Sequence, residues 1–208
     1  MWHILDVVGT IAFVASGATV AVEERYDIFG IVLLGLITAF GGGVLRNVLL
    51  GIPVSELWGQ RLLLISAFSV AAIYFVLPSL RKDWGWLTVF DAVGVAAFAV
   101  QAGVYARLSH HTAADIIIAS TITGIGGGMI RDVLAHRHPV VLKRNEFYAI
   151  WAVLDGVAVA MGFGTTPWQA SILVAATVGL RLASVYWSWK VPLSLSFRRS
   201  GLDMQTRE

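Results

Sequence analysis

Apolar residues along this chain come in long runs broken by short polar links, falling at about residues 4–22, 28–50, 61–78, 86–107, 113–135, 146–163 and 168–188. Each run is close to the ~20 residues that carry a helix across a hydrocarbon core of roughly 30 Å. Seven membrane-spanning helices are therefore expected, and the links are too short to hold a soluble domain. The 208 residues read as a single all-α membrane domain followed by a basic cytoplasmic tail at 190–208.

Composition sharpens this. Hydrophobic residues make up 57% of the chain and charged residues 13%, with a mean hydropathy of +0.76. A soluble domain carries about a quarter charged residues, so an integral membrane protein is expected. Asp6 sits where a basic leader segment would stand, so the first run is expected to stay in the mature protein. The absence of cysteine excludes disulfides, thiolate metal sites and cysteine nucleophiles. No nucleophile, base and orienting group stand together, so no enzyme, cofactor, bound metal or nucleic-acid partner is expected.

The net charge of +2 says more by position than by total. With the N-terminus outside, Arg25, Arg81, Lys82, Arg137, Lys143, Arg144, Lys190, Arg198, Arg199 and Arg207 are cytoplasmic, against Arg61 and Arg107 outside. That bias predicts an N-out, C-in protein.

Residues 5–51 align without a gap to 90–136, at a constant offset of 85, with 15 of 47 positions identical. The match pairs Asp6 with Asp91, Phe13 with Phe98, Gly41, Gly42 and Gly43 with Gly126, Gly127 and Gly128, and Arg46 with Arg131. Repeat one covers about 1–80 and repeat two about 86–163, each with three runs. An odd number of spans makes the second copy enter from the opposite side, giving a 3+3 inverted repeat plus a seventh helix at about 168–188. Gly-interrupted helices at matching places in inverted halves point to a permeation or binding site near the midplane.

Three adjacent glycines point around a helix and cannot share one face, which argues for a local break of the second and fifth helices at Gly41, Gly42, Gly43 and at Gly126, Gly127, Gly128. A break would free backbone carbonyls as transient ligands for potassium or sodium. Arg46 and Arg131 follow these glycines by three residues. Asp6 and Asp91 stand at matching depths, and buried membrane charges usually pair, so Asp6–Arg46 and Asp91–Arg131 are the expected contacts. Asp155 is a third intramembrane acid, either a packing carboxyl or a pore-lining cation site.

With its duplicated Gly-Gly-Gly-x-x-Arg segments and its Asp-x-Val-Gly openings, the chain resembles the prokaryotic relatives of trimeric intracellular cation (TRIC) channels, a bacterial family also labelled glycine transporters. The resemblance implies a homotrimer in a prokaryotic inner membrane, with a pore in each subunit bent at the glycines and passing potassium and sodium. The animal members bind an inositol lipid through a lysine-containing motif, whereas "GGGVLRN" here has no lysine.

Two functions follow. One is a passive monovalent-cation channel whose arginines limit or gate flow. The alternative is an alternating-access transporter of glycine or a similar small zwitterion, with the arginines binding its carboxylate.

Overall fold

The computed structural model describes residues 2–57, 66–67, 85–142 and 147–189. The expected third span at 61–78, apart from 66–67, and the tail at 190–208 lie outside the described residues. The others form six α-helices: α1 (Trp2–Glu23), α2 (Ile28–Leu50), α3 (Gly85–Leu108), α4 (Ala113–Leu134), α5 (Ala149–Ala160) and α6 (Pro167–Tyr186). All but α5 are long and apolar enough to cross a membrane.

Local chemistry sets the ends. Asp27 caps α2 by accepting from Gly30 N–H at 2.7 Å, and Gly51 closes that helix in the left-handed conformation at φ 67°. Thr112 and Asp115 form a reciprocal capping box at the start of α4. Pro167 opens α6, where the Gln169 side chain accepts from the N–H groups of Gly164 and Thr166. The run expected at 146–163 yields a helix of only 12 residues, because the chain turns at Gly162 and Gly164 with φ of 100° and 95°.

The duplication shows in three dimensions. α1 and α3, the first helices of the two repeats, form the centre and cross at Phe13 and Phe98, whose ring centroids lie 5.3 Å apart. Each ring faces a glycine of the opposite repeat, Phe98 against Gly9 and Phe13 against Gly94. α2 and α4 pack on this pair and on each other, and present Leu33, Val48, Leu49, Ile118, Val133 and Leu134 outward. An apolar outer face suits a chain whose surrounding solvent is lipid.

The expected breaks are absent. α2 remains helical through Gly41, Gly42 and Gly43, and α4 through Gly126, Gly127 and Gly128. The glycines instead permit a backbone-to-backbone crossing. A Cβ on Gly42 would strike the Thr123 carbonyl, and one on Gly127 would strike the Thr38 carbonyl. Gly41 looks at Ile130, Gly126 at Leu45, Gly43 at Leu57, and Gly128 at the Tyr148 hydroxyl. Consecutive glycines need not share a face, because each here serves a different neighbour. The carbonyls of these glycines thus belong to uninterrupted helical backbone.

Candidate functional site

Two buried polar centres lie at corresponding places in the repeats, each built around an arginine of α2 or α4 held against the central helices. Arg46 is 6% exposed and Arg131 1%. Each guanidinium first binds its own chain neighbour: Arg46 Nε donates to Asn47 Oδ1 at 3.0 Å, and Arg131 Nε to Asp132 Oδ1 at 2.8 Å. Each then reaches into the other repeat. Arg46 Nη1 donates to Gln101 Oε1 at 3.0 Å on α3, and Arg131 Nη1 donates to Ser16 Oγ on α1.

The residue after each arginine ties down the next loop with the polarity that loop requires. Asp132 Oδ2 accepts from Val140 N–H at 3.0 Å. Asn47 Nδ2 donates to the carbonyl of Pro53 at 3.1 Å. A carboxylate suits the first place and an amide the second, because only the amide can donate.

The centres differ in charge. Arg131 is clamped by two carboxylates, with Nη1 at 2.9 Å from Asp91 Oδ1 and Nη2 at 2.7 Å from Asp132 Oδ1. The expected Asp91–Arg131 contact is thus formed, inside the protein. Around Arg46 the neighbouring acid is replaced by Asn47, and the guanidinium carbon lies 5.0 Å from the centroid of the Tyr105 ring. Arg46 and Asp6 line one cavity of about 30 Å³, together with Thr10, Gln101 and Thr123 among others. That is room for about two water molecules. The Thr123 hydroxyl, fully buried, has no hydrogen-bond partner among the described residues.

Asp155 stands apart from both centres. It is 2% exposed on α5, and its Oδ1 accepts from Thr177 Oγ1 of α6 at 2.8 Å. Its Oδ2 has no hydrogen-bond partner among the described residues.

Four participants carried no signal that sequence comparison picks up. Ser16 and Gln101 are equivalent positions of the two repeats but differ in type, so a search for identities passes over them. Tyr148, 3% exposed, lies beyond the aligned segments. Arg181, also 3% exposed, sits in the unrepeated α6 with its guanidinium carbon 4.3 Å from the Tyr148 ring centroid. The signal for Arg181 was present as a charge alone in an apolar run.

A membrane bundle of inverted repeats, each with a buried arginine bound across to the other, defines the class. Its family follows from comparison: the chain belongs to the family described as Glycine transporter, whose model matches it twice, over residues 3–79 and 88–164. The two matches begin 85 residues apart, the offset of the internal repeat. Among relatives, the UPF0126 membrane protein YvgT of Bacillus subtilis (strain 168) is 46% identical over 199 residues, covering 95% of this chain and 98% of its own. The fold is that of prokaryotic TRIC channels. A prokaryotic TRIC channel crystallised in 0.5 M KCl superposes with a TM-score of 0.81 at 30% identity, covering 91% of this chain and 98% of its own. The TRIC trimeric intracellular cation channel orthologue from Rhodobacter sphaeroides gives 0.80 at 30% identity, with coverage of 89% and 97%.

Proposed function

We propose that this protein is a passive channel for monovalent cations, potassium and sodium, with one pore in each subunit of a homotrimer. The reading is supported by its likeness to channels described as cation-conducting and trimeric. The observation that carries it is the clamp on Arg131. A bare guanidinium 4 Å from a passing cation would repel it by about 4 kcal/mol at an effective dielectric of 20. Asp91 and Asp132, both within 3 Å of Arg131, offset that repulsion at the inner centre. The path runs through the single membrane domain between the two centres, with Gly41, Gly42, Gly43, Gly126, Gly127 and Gly128 as the crossing that fixes its waist. Asp6 and Arg46 flank its outer half. In this reading the third span at 61–78 completes seven helices. The protein sits in the inner membrane of a prokaryote, N-terminus outside and C-terminus cytoplasmic, with lipid against its apolar faces. Single-channel recording of the purified protein under a potassium gradient tests it, and the absence of any cation conductance would refute it.

One observation favours the second reading, alternating-access transport of glycine or a similar zwitterion. A carboxylate and a guanidinium, Asp6 and Arg46, line a single cavity. Its volume of about 30 Å³ suits water rather than an amino acid, which places this reading second. Saturable glycine uptake into liposomes without ion current would reverse that order.

A further inference from the structure

The inverted repeat makes each centre a control for the other. Gly43 in the outer half corresponds to Gly128 in the inner half. Gly43 borders the cavity of about 30 Å³. At Gly128 an added Cβ would lie 3.0 Å from the Tyr148 hydroxyl and 3.3 Å from Asp91 Oδ1. Beside the inner glycine, then, stands a phenol. Tyr148 immediately precedes α5, is 3% exposed, and directs its hydroxyl toward the Asp91–Arg131 pair. Tyr148 lies beyond the segments that align between the two repeats.

Arg181 reaches the face of this ring. It projects from α6, which belongs to neither repeat, and its guanidinium carbon sits 4.3 Å from the Tyr148 ring centroid. A guanidinium over an aromatic face is strongly favourable when both are removed from water. Arg181 and Tyr148 are both buried.

We infer that Tyr148 is the plug of the inner half of the conduction path, and that Arg181 holds it in place from α6. The inference rests on the channel reading above. Withdrawing the ring opens the inner centre to water from the cytoplasmic side. It uncovers the carboxylates of Asp91 and Asp132, whose two negative charges balance Arg131 and Arg181 and so remove the barrier a bare guanidinium would set to a cation. Arg131 itself need not move, since its clamp stays intact. The gating part is thereby separated from the charged part: a neutral ring moves, and the fixed charges select.

The test uses the full chain in planar bilayers under a KCl gradient, with a second readout that needs no current. The chain has no cysteine, so Ser16→Cys supplies its sole thiol, at the residue that receives Arg131. A charged, membrane-impermeant thiol reagent applied from each side then reports whether water reaches the inner centre. Tyr148→Ala is expected to raise cation current roughly thirty-fold, the scale set by losing a desolvated ring–guanidinium contact, and to speed labelling from the cytoplasmic side only. Arg181→Met, which keeps length and removes the cation, should move both readouts in the same direction. Arg181→Lys should restore part of the closed behaviour.

Parent-level current and labelling in both Tyr148→Ala and Arg181→Met, each eluting as the parent does, would overturn the plug and leave the channel reading standing. A parent that passes no cation current removes the channel reading instead. Labelling then decides alone, since acceleration by Tyr148→Ala keeps Tyr148 as the barrier to water and unchanged labelling removes it. Should Tyr148→Ala not fold, Tyr148→Leu and Arg181→Met carry the same comparison.

Discussion

Ser16 and Gln101 occupy the same position of the two repeats, and each accepts a hydrogen bond from the arginine of the other repeat. The halves are thus cross-tied by their polar centres as well as by packing. Gln101→Ala is expected to leave Arg46 Nη1 without this buried acceptor, at a cost of about 1–3 kcal/mol. Thermal unfolding in detergent checks it, and an unchanged midpoint would show that the tie contributes nothing.

The triple glycines lead to an expectation opposite in sign to that of a flexible break. If they softened a helix, alanine would stiffen it and raise stability. Because Gly42 and Gly127 face carbonyls of the opposite helix, Gly42→Ala and Gly127→Ala should each destabilise by about 1–3 kcal/mol through overpacking. Gly179→Ala is the control, since a Cβ there meets nothing within 4 Å. It should stabilise by up to about 1 kcal/mol through helix propensity. Equal behaviour of the three variants in detergent unfolding would contradict this account.

Removing Arg131 should damage the fold before it alters flow. Arg131→Ala strands Asp91 and Asp132 together in the interior, and breaking such a buried pair costs about 3–5 kcal/mol. Combining it with Asp91→Asn should recover part of the loss. Yield and thermal midpoint of single and double variants measure this, and a stable Arg131→Ala protein would refute the clamp.

At the α5–α6 contact the asymmetry lies in who donates. Thr177→Val takes away the one donor seen on Asp155 Oδ1 and should cost about 1–3 kcal/mol. Asp155→Asn keeps an oxygen for the threonine and should cost less. Reversal of that order would place Asp155 in a different environment from the one described.

On the same side as the ends of α1 and α4, Arg137 pairs with Glu23 at 2.8 Å and Glu24 at 2.6 Å, all of them partly exposed. Such pairs contribute roughly 0–1 kcal/mol each and weaken with salt. Arg137→Gln should therefore lower the midpoint slightly in dilute buffer and hardly at all in concentrated salt. A large effect that ignores salt would mean that the contact is not electrostatic.

Sequence carried the parts of this protein that are local or duplicated. The long apolar runs announced the helices, and the constant offset announced that Phe13 and Phe98, or Gly42 and Gly127, are equivalent. The contact of Asp91 with Arg131 was legible because the duplication preserved both residue types. What stayed hidden was non-local. The glycines were read as a break because three in a row cannot face one partner, yet the fold brings a separate neighbour to each. Gln101 and Ser16 differ in type, Thr177 meets Asp155 only once α6 docks on α5, and Tyr148 meets Arg181 across the unrepeated helix.

The crossing of Phe13 with Phe98 has a consequence for how such a chain can be assembled. Each ring needs the glycine of the opposite half, so neither half can bury its own aromatic by itself. The halves behave as partners in an antiparallel pair that happen to be spliced end to end. Two separately made pieces, divided in the link between the repeats, therefore carry all of the complementary surface at this crossing. Two copies of one half, inserted in opposite senses, would still offer each other a phenylalanine and a glycine.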